Sequence, residues 1–410
     1  MRLLLLALAL CTACEPEAAL VGTRCAAWRS AGQADSVARR FAQLDSAIRV
    51  EARAGFSGVV LVGDSSGLRF TEGCGTGETA DTVAIDIPFW LASDSKQVTG
   101  TAITRLQERG RLEVTDPITR FFSRVPRDKQ SVTVHQLLTH TSGLPHEYRA
   151  DGIIDRDSAV SSILALPLSS RPGEKFSYSN DGYSLLAAIV EIAAGIPFDE
   201  YVADSLFAPA GLERSGLWGH ERDDIPVAPV ADSAKTRNQR ATIFSRGKSV
   251  ANWGYRGPTG VYSSTRDVYK WVQAVRSGRV VSPEGFRQLV GRHVLVRSDS
   301  TGSSYTAYGW GVRVEDGKDT WYAHSGNEDW LGHNSLIRFT PRGDIVVVLS
   351  NSGDIGDIGW STRVNRVIRS VMNTRQWAST ARFVVRASAL SLRHKLACEL
   401  SSESISLYAA

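Results

Sequence analysis

The sequence predicts an α+β fold, in which an antiparallel sheet is built from both termini and flanked by helices, with a mostly helical lobe inserted between its two halves. Two observations lead to this prediction. Strand patterns lie near the N-terminus, over residues 57–72, and return near the C-terminus, over residues 308–349. The chain between them is mostly helical, with the lobe spanning about residues 93–260. At 410 residues, 42% of them apolar, the chain is long enough for two domains or two intertwined lobes.

A helix precedes the first half of the sheet. Apolar residues recur at spacings of three and four over residues 35–55, which predicts one buried stripe, and Gly55 ends the pattern. Strands are predicted over residues 57–62 and 68–72. The turn residues 63–67 between them (Gly-Asp-Ser-Ser-Gly) make the pair a hairpin.

The rest of the chain supplies the lobe and the second half of the sheet. It is predicted to contain a helix over about 93–110, helical segments over 133–217, long surface loops over 219–260, a helix over 265–275, strands over 308–314, 320–323, 334–339 and 345–349, a turn over 341–344 and a closing helix over 361–372. Residues 373–410 form an unassigned extension. Charged residues interrupt its apolar ones, so it does not resemble a membrane span.

The N-terminus resembles a secretory signal. Arg2 precedes an apolar run from Leu3 to Leu10, far shorter than the roughly 20 residues of a spanning helix. The residues before Cys14 resemble a bacterial lipobox, although Cys11 stands where such signals usually carry Leu. Export to the periplasm or cell envelope is predicted. Lipid on Cys14 would attach the protein to a membrane, and cleavage without lipid is the alternative.

Composition excludes several classes of function. The net charge is +4 and charges of both signs are interspersed, so the sequence predicts no basic patch that would bind nucleic acid. The eight histidines show neither H-E-x-x-H nor H-x-H spacing, so no metal or other cofactor is predicted. Beyond Cys14 lie Cys25, Cys74 and Cys398, which allow at most one disulfide among them.

A nucleophile is predicted at Ser93. In Ser93-Asp94-Ser95-Lys96 the first and last residues lie three apart, on one face of the predicted helix. A serine hydroxyl needs a base to take its proton, and a desolvated lysine can be that base. The same spacing recurs from Ser245 to Lys248, but in a polar loop without a helix. A second rival, the G-x-S-x-G pattern around Ser65, leads into a strand where the nucleophile elbow needs a helix.

Two further segments carry side chains that suit the same chemistry. Tyr178 and Asn180 precede an apolar helix, where a phenol can move protons and an amide can hold an acylamide group of a substrate. Taken alone, a Tyr and an Asn before a helix are more often a packed aromatic and a helix cap. His324-Ser325-Gly326 follows a predicted strand, where edge backbone groups can pair with a substrate and a following N–H can bind an oxyanion.

Together, in this order, these motifs resemble the class C-like branch of the serine β-lactamase and penicillin-binding protein superfamily, which also holds D-alanyl-D-alanine carboxypeptidases, D-aminopeptidases and esterases. Residues 132–145 (VTVHQLLTHTSGLP), Pro172-Gly173 and Tyr308-Gly309-Trp310-Gly311 strengthen the resemblance, which runs from about Phe56 to Met372. It implies a β-lactamase/transpeptidase-like fold. The predicted domains are a signal peptide that ends in the lipobox-like residues (1–14), an N-terminal linker (15–34) and a catalytic domain related to β-lactamases (35–372).

The resemblance also implies a role for each motif residue. Ser93 matches the acylated nucleophile, Lys96 its base and Tyr178 the tyrosine of the proton network. Asn180, His324, Ser325 and Gly326 match the substrate-binding positions, and the backbone N–H groups of Ser93 and Asn327 match the oxyanion hole.

One position departs from true class C β-lactamases, which carry Lys where this chain has His324. Since a histidine is mostly neutral at pH 7, recognition of a β-lactam carboxylate is expected to be weak, and to strengthen as the pH falls towards 6. A nearby arginine such as Arg313 is an alternative source of positive charge.

These residues leave the substrate open among peptide, ester and β-lactam. A small-molecule or peptide substrate is the expected partner. The alternative to a hydrolase is a receptor or scaffold that is acylated without efficient turnover. The sequence does not determine the oligomeric state.

Overall fold

A computed structural model of the chain describes residues 24–29, 35–75, 85–219, 227–228, 252–328 and 332–352. Its strands are β1 (Arg24–Arg29), β2 (Gly58–Asp64), β3 (Gly67–Gly75), β4 (Pro88–Trp90), β5 (Ser215–Leu217), β6 (Val261–Ser264), β7 (Val294–Asp299), β8 (Gly302–Thr306), β9 (Gly311–Glu315), β10 (Lys318–Glu328), β11 (His333–Phe339) and β12 (Ile345–Ser350). Its α-helices are α1 (Asp35–Arg53), α2 (Lys96–Glu108), α3 (Val134–Leu138), α4 (Arg156–Leu164), α5 (Asn180–Ala194), α6 (Phe198–Val202), α7 (Ala208–Ala210), α8 (Thr265–Arg276) and α9 (Pro283–Leu289).

The main sheet joins the two ends of the described chain. It has nine strands in the order β1-β3-β2-β12-β11-β10-β9-β8-β7, and every neighbouring pair is antiparallel. β12 pairs with β2 from Ile345 opposite Gly63 to Ser350 opposite Gly58. A second sheet of three strands, β4-β6-β5, lies beside it. The predicted antiparallel sheet built from both ends is therefore confirmed.

Helices cover both faces of the main sheet, so its central strands are apolar on both sides. On one face, Leu44 and Ile48 of α1 pack with Phe70 of β3 and Val348 of β12. The other face meets the larger core, to which α2, α5 and α8 contribute. Burying one such side chain fully stabilises the fold by about 1.5–3 kcal/mol. The buried helix α5 is apolar almost all round, because other helices and not solvent surround it.

A disulfide fastens β1 to the sheet. Cys25 lies opposite Cys74 in the antiparallel β1–β3 pair, and their sulfurs are bonded. The sequence allowed one pair among its three later cysteines, and this is the pair that forms. The third, Cys398, lies outside the described residues.

Several predicted boundaries are wrong. The strand predicted over 320–323 continues to Glu328, so the His-Ser-Gly motif lies inside β10 and not after it. Ser93 lies in a single 3₁₀ turn, Ala92–Ser95, and α2 begins only at Lys96. β1, the β7–β8 hairpin, α9 and the small sheet were not predicted. They are short, polar or exposed, and so carry little periodic signal.

Several other predictions are confirmed, and the rest concern segments that lie outside the described residues. The helix over 35–55 and the hairpin turn at 63–67 are confirmed, as are α8 and the turn over 341–344. Most of the loop over 219–260, the closing helix over 361–372, the extension over 373–410 and the signal with Cys14 lie outside the described residues. Among the residues that the structure does describe, no helix is both long and apolar enough to cross a membrane.

Candidate active site

Ser93 stands at the surface of an otherwise buried segment. From Leu91 to Gly100 it is the one residue that is not buried. Ala92 before it has a φ of 48°, in the left-handed region that costs a non-glycine residue about 1–3 kcal/mol. Leu91 N–H donates to Val261 of β6, which fixes the start of the turn. The strained turn therefore leaves Ser93 partly exposed between buried neighbours.

Lys96 is completely buried beneath Ser93. Its Nζ lies 3.2 Å from Ser93 Oγ, 2.8 Å from Asn180 Oδ1 and 3.1 Å from the carbonyl oxygen of Pro258. It also lies 4.7 Å from the ring centre of Tyr178. The two carbonyl oxygens accept two N–H bonds, so the third position on the nitrogen faces Ser93. The predicted Ser93–Lys96 pair is thus brought together, one helical turn apart.

Tyr178 and Asn180 approach the Ser93–Lys96 pair from the helical part of the chain. Tyr178 OH donates to Ser93 Oγ at 2.9 Å. Ser179 caps α5 by accepting from Gly182 N–H, so Asn180 is the first residue of the helix. The side chain of Asn180 also contacts His146 Nε2 at 3.4 Å. Because Oδ1 accepts from Lys96, the amide NH₂ is the group that faces His146.

β10 passes close to the nucleophile turn. A Cβ on Gly326 would lie 2.0 Å from the carbonyl oxygen of Leu91 and 2.9 Å from Ala92 Cβ, so only glycine fits there. The β9 ladder along β10 stops at Ala323, and from His324 to Glu328 the strand pairs with β11. Ser325, Gly326 and Asn327 therefore run beside the turn that carries Ser93.

His324 is uncharged at neutral pH. Burial, and then the charge of Lys96, lower the pKa of His324 to about 3. Its Nδ1 lies 2.9 Å from the carbonyl oxygen of Ser325, so Nδ1 carries the proton. The expectation that His324 becomes charged near pH 6 is therefore wrong, because burial is the largest cause that opposes a proton on the imidazole.

Arg313 does not supply the missing charge. It pairs with Trp321 in the β9–β10 ladder, whereas His324 lies on the same face of the strand as Tyr322, whose partner is Val312. Arg313 hence points to the opposite face of the sheet. Its guanidinium donates to Ser304 and Thr301 and lies 3.6 Å from Glu315.

The rival serines differ from Ser93 in their surroundings. Ser65 lies in the two-residue turn between β2 and β3. Ser95 is buried, and its hydroxyl accepts from Val261 N–H. The pattern from Ser245 to Lys248 lies outside the described residues.

Four groups around the site were not predicted: His140 beside Tyr178, His146 beside Asn180, Asp94 beneath the turn and the carbonyl of Pro258. The histidines belong to or directly follow the segment 132–145, so their position in that motif was a signal. A backbone carbonyl carries no signal in sequence. Within the described chain, one cluster has the spacing of metal ligands, Cys25, Glu72 and Cys74, and its sulfurs are bonded to each other.

Comparison with known proteins agrees with this fold. Residues 40–357 match the family model described as Beta-lactamase. A penicillin-binding protein of Bacillus subtilis is 27% identical over 314 residues, covering 72% of this chain and 68% of that protein. Esterase EstB of Burkholderia gladioli is 29% identical over 374 residues, covering 80% and 93%.

Solved structures give the same fold at low sequence identity. The D-amino acid amidase of Ochrobactrum anthropi, complexed with L-phenylalanine amide, superposes with a TM-score of 0.66 at 20% identity, covering 82% of this chain and 99% of that one. The octameric penicillin-binding protein homologue of Pyrococcus abyssi gives 0.62 at 23% identity, covering 76% and 73%. Because the family model spans most of the chain, the protein belongs to the β-lactamase family of serine hydrolases and penicillin-binding proteins.

Proposed function

We propose that this protein hydrolyses amide or ester bonds through an acyl-enzyme on Ser93. One observation carries the proposal: Ser93 Oγ lies within hydrogen-bond distance of both Lys96 Nζ and Tyr178 OH. A nucleophile next to a base, with a second proton carrier in contact, is the arrangement that covalent catalysis by serine needs.

Lys96 takes the proton of Ser93 in this mechanism. Asn180 Oδ1 and the Pro258 carbonyl hold two of its hydrogens, so a neutral Lys96 directs its lone pair at the hydroxyl. As Oγ attacks the substrate carbonyl carbon, the proton passes to Nζ. Tyr178 then delivers a proton to the departing amine or alcohol and regains one from Lys96.

The oxyanion of the tetrahedral intermediate is proposed to accept from the N–H groups of Ser93 and Asn327. The tight contact of Gly326 with Leu91 supports this, since it brings β10 beside the nucleophile turn. Each such donor is worth roughly 10²–10³ in kcat in enzymes of this kind. Water then attacks the Ser93 ester and releases the acid.

The preferred substrates are proposed to be esters or amides without a carboxylate next to β10. A neutral His324 cannot give a substrate carboxylate the charge-assisted bond that a lysine gives. Arg313, on the opposite face of the sheet, does not replace it. The relative named esterase makes an uncharged ester the substrate to test first.

The second candidate is a receptor that is acylated and turned over slowly. It rests on the relatives named penicillin-binding protein. The test is one preparation assayed with nitrocefin, p-nitrophenyl butyrate and a D-Ala-D-Ala peptide. The hydrolase proposal expects many turnovers on at least one of them, and the ester above nitrocefin. A single stoichiometric burst on all three supports the receptor and refutes the hydrolase.

Export, with lipid on Cys14, is the proposed location. It rests on the apolar run before Thr12-Ala13-Cys14. Radiolabelled palmitate should enter the wild-type protein and not Cys14→Ser. Equal absence of label from both proteins in the membrane fraction would contradict lipidation.

A further inference from the structure

His140 occupies a backbone position that favours glycine. It follows α3 with a φ of 57°. His140 N–H donates to the carbonyl of Leu137 and Thr141 N–H to that of Gln136, which together form a Schellman motif with His140 at the left-handed residue. Glycine usually fills that place because it has no Cβ. Strained backbone conformations at residues other than glycine cluster at functional sites, where the side chain has a task.

The side chain and backbone of His140 hold both ends of the segment that carries Tyr178. Its carbonyl oxygen accepts from Ser177 N–H at 2.7 Å, and its Nδ1 accepts from Ser179 N–H at 3.1 Å. The imidazole also lies between two tyrosine rings, 4.3 Å from the centre of Tyr178 and 5.1 Å from that of Tyr183. Tyr183 is fixed in turn by a bond from its hydroxyl to the Leu138 carbonyl.

We infer that His140 is a positioning residue for the proton transfer at Ser93, and that it acts through Tyr178. The inference rests on the proposed function and goes beyond it. Tyr178 stands on a loop, and two backbone bonds plus ring contact with one buried histidine fix its hydroxyl 2.9 Å from Ser93 Oγ.

The ring works only as a neutral imidazole. If Nδ1 carried a proton, it could not accept the hydrogen bond from Ser179 N–H, and the two hydrogens would face each other. Burial, together with the charge of Lys96 and the neighbouring His324 and His146, lowers the pKa of His140 well below its usual value, while the bond from Ser179 acts in the opposite direction. The proton of the neutral ring therefore sits on Nε2.

The test is a double-mutant cycle on kcat/KM for an alkyl ester such as ethyl butyrate, whose departing alcohol must receive a proton and whose kcat/KM reports acylation. A fluorophosphonate label, whose fluoride leaves without a proton, reports the nucleophile separately. His140→Gly removes the side chain and suits the backbone conformation. It should slow acylation on the order of 100-fold, the loss typical of a catalytic group displaced by about 1 Å. In the Tyr178→Phe background the same change should cost less than about threefold, because the hydroxyl it positions is already absent.

Further variants keep the test decisive. His140→Asn tolerates the left-handed conformation and keeps an acceptor near the Nδ1 position, so it should recover most of the lost rate. If the glycine variant does not fold, His140→Ala, which also lacks the ring and the acceptor, takes its place in the cycle. Asp316→Gly, at an exposed residue with φ 49°, should leave acylation unchanged. A loss that stays complete in the Tyr178→Phe background would overturn the inference. Labelling of Ser93→Ala would instead refute the proposed function itself.

Discussion

At the scale of single residues, Asp94 shows how burial sets a protonation state beside the nucleophile. Ser335 Oγ lies 2.6 Å from the Leu91 carbonyl oxygen and 2.5 Å from Asp94 Oδ2, yet a hydroxyl has one proton. A protonated Asp94 supplies the second. Burial raises the pKa of Asp94 well above its usual value, although bonds from Ser335 and Gln97 and the charge of Lys96 act in the opposite direction.

Asp94→Asn is therefore expected to stabilise the protein at neutral pH. The unfolded carboxyl loses its proton near its ordinary pKa of 3.8, whereas the folded one keeps it to higher pH. Above pH 3.8 the free energy of unfolding thus falls as the pH rises, until the folded pKa is passed. The amide cannot ionise and keeps the bonds to Gln97 and Ser335. Urea unfolding at pH 5 and pH 8 should show that the free energy of unfolding of the variant, relative to that of wild type, is larger at pH 8. An equal difference at both would contradict a protonated Asp94, and the exposed Asp316→Asn serves as control.

His324→Lys tests the third motif. A cation there should raise kcat/KM for a cephalosporin relative to an uncharged ester by about tenfold, the worth of a charge-assisted bond over a neutral one. The neutral variant His324→Gln should not. In wild type the same ratio should stay flat from pH 8 to pH 6, since the pKa of His324 is about 3. A ratio that climbs as the pH falls would show that His324 is charged.

At the scale of elements, the contact between β10 and the Ser93 turn depends on Gly326. The Cβ of Gly326→Ala would also lie 2.5 Å from Ser335 Oγ, so the strand or the turn must shift. A fall in kcat/KM on the order of 100-fold is expected, with little change in far-UV circular dichroism. Gly182→Ala is the matched control: its nearest neighbours lie 3.7 Å away, and alanine suits the helix α5. Equal kcat/KM in the two variants would show that this contact does not organise the site.

The disulfide belongs to the same scale. Cys25 and Cys74 are 49 residues apart, and closing a loop of that length stabilises a fold by about 4 kcal/mol in the chain-entropy view. The double variant Cys25→Ser/Cys74→Ser should lose an amount of that order in urea unfolding at 25 °C and keep its kcat, because β1 lies at the sheet edge, five strands from β10 in the order of the sheet. Reduced wild type should match the variant. A large loss of kcat with no loss of stability would contradict this account.

At the scale of the whole molecule, those features of the fold and the site that leave a periodic pattern or a short motif in the sequence could be predicted. The α+β class, the helix α1 and the β2–β3 hairpin all followed from apolar spacing and turn residues. Ser93, Lys96, Tyr178 and Asn180 are predicted together because three short motifs occur in a family order, and the structure brings these four residues within hydrogen-bond reach.

What escaped prediction depends on contacts between distant parts of the chain. The charge state of His324 follows from burial beside Lys96, and the orientation of Arg313 follows from the strand register. The length of β10 is set by its pairing with β11, which a window of local sequence does not contain. The motif 132–145 marks His140 as a residue of interest, but its left-handed backbone and its two tyrosine neighbours, which define its role, are seen only in the structure.

The central claim is acylation of Ser93, and site mapping tests it most directly. Wild-type protein is labelled with a fluorophosphonate, digested and sequenced by mass spectrometry, beside Ser93→Ala and the matched variant Ser95→Ala. We expect the label on Ser93 in wild type and in Ser95→Ala, and none in Ser93→Ala, with ester hydrolysis falling by several orders of magnitude only in the last. A label on any other serine, or hydrolysis that survives Ser93→Ala, would contradict the account.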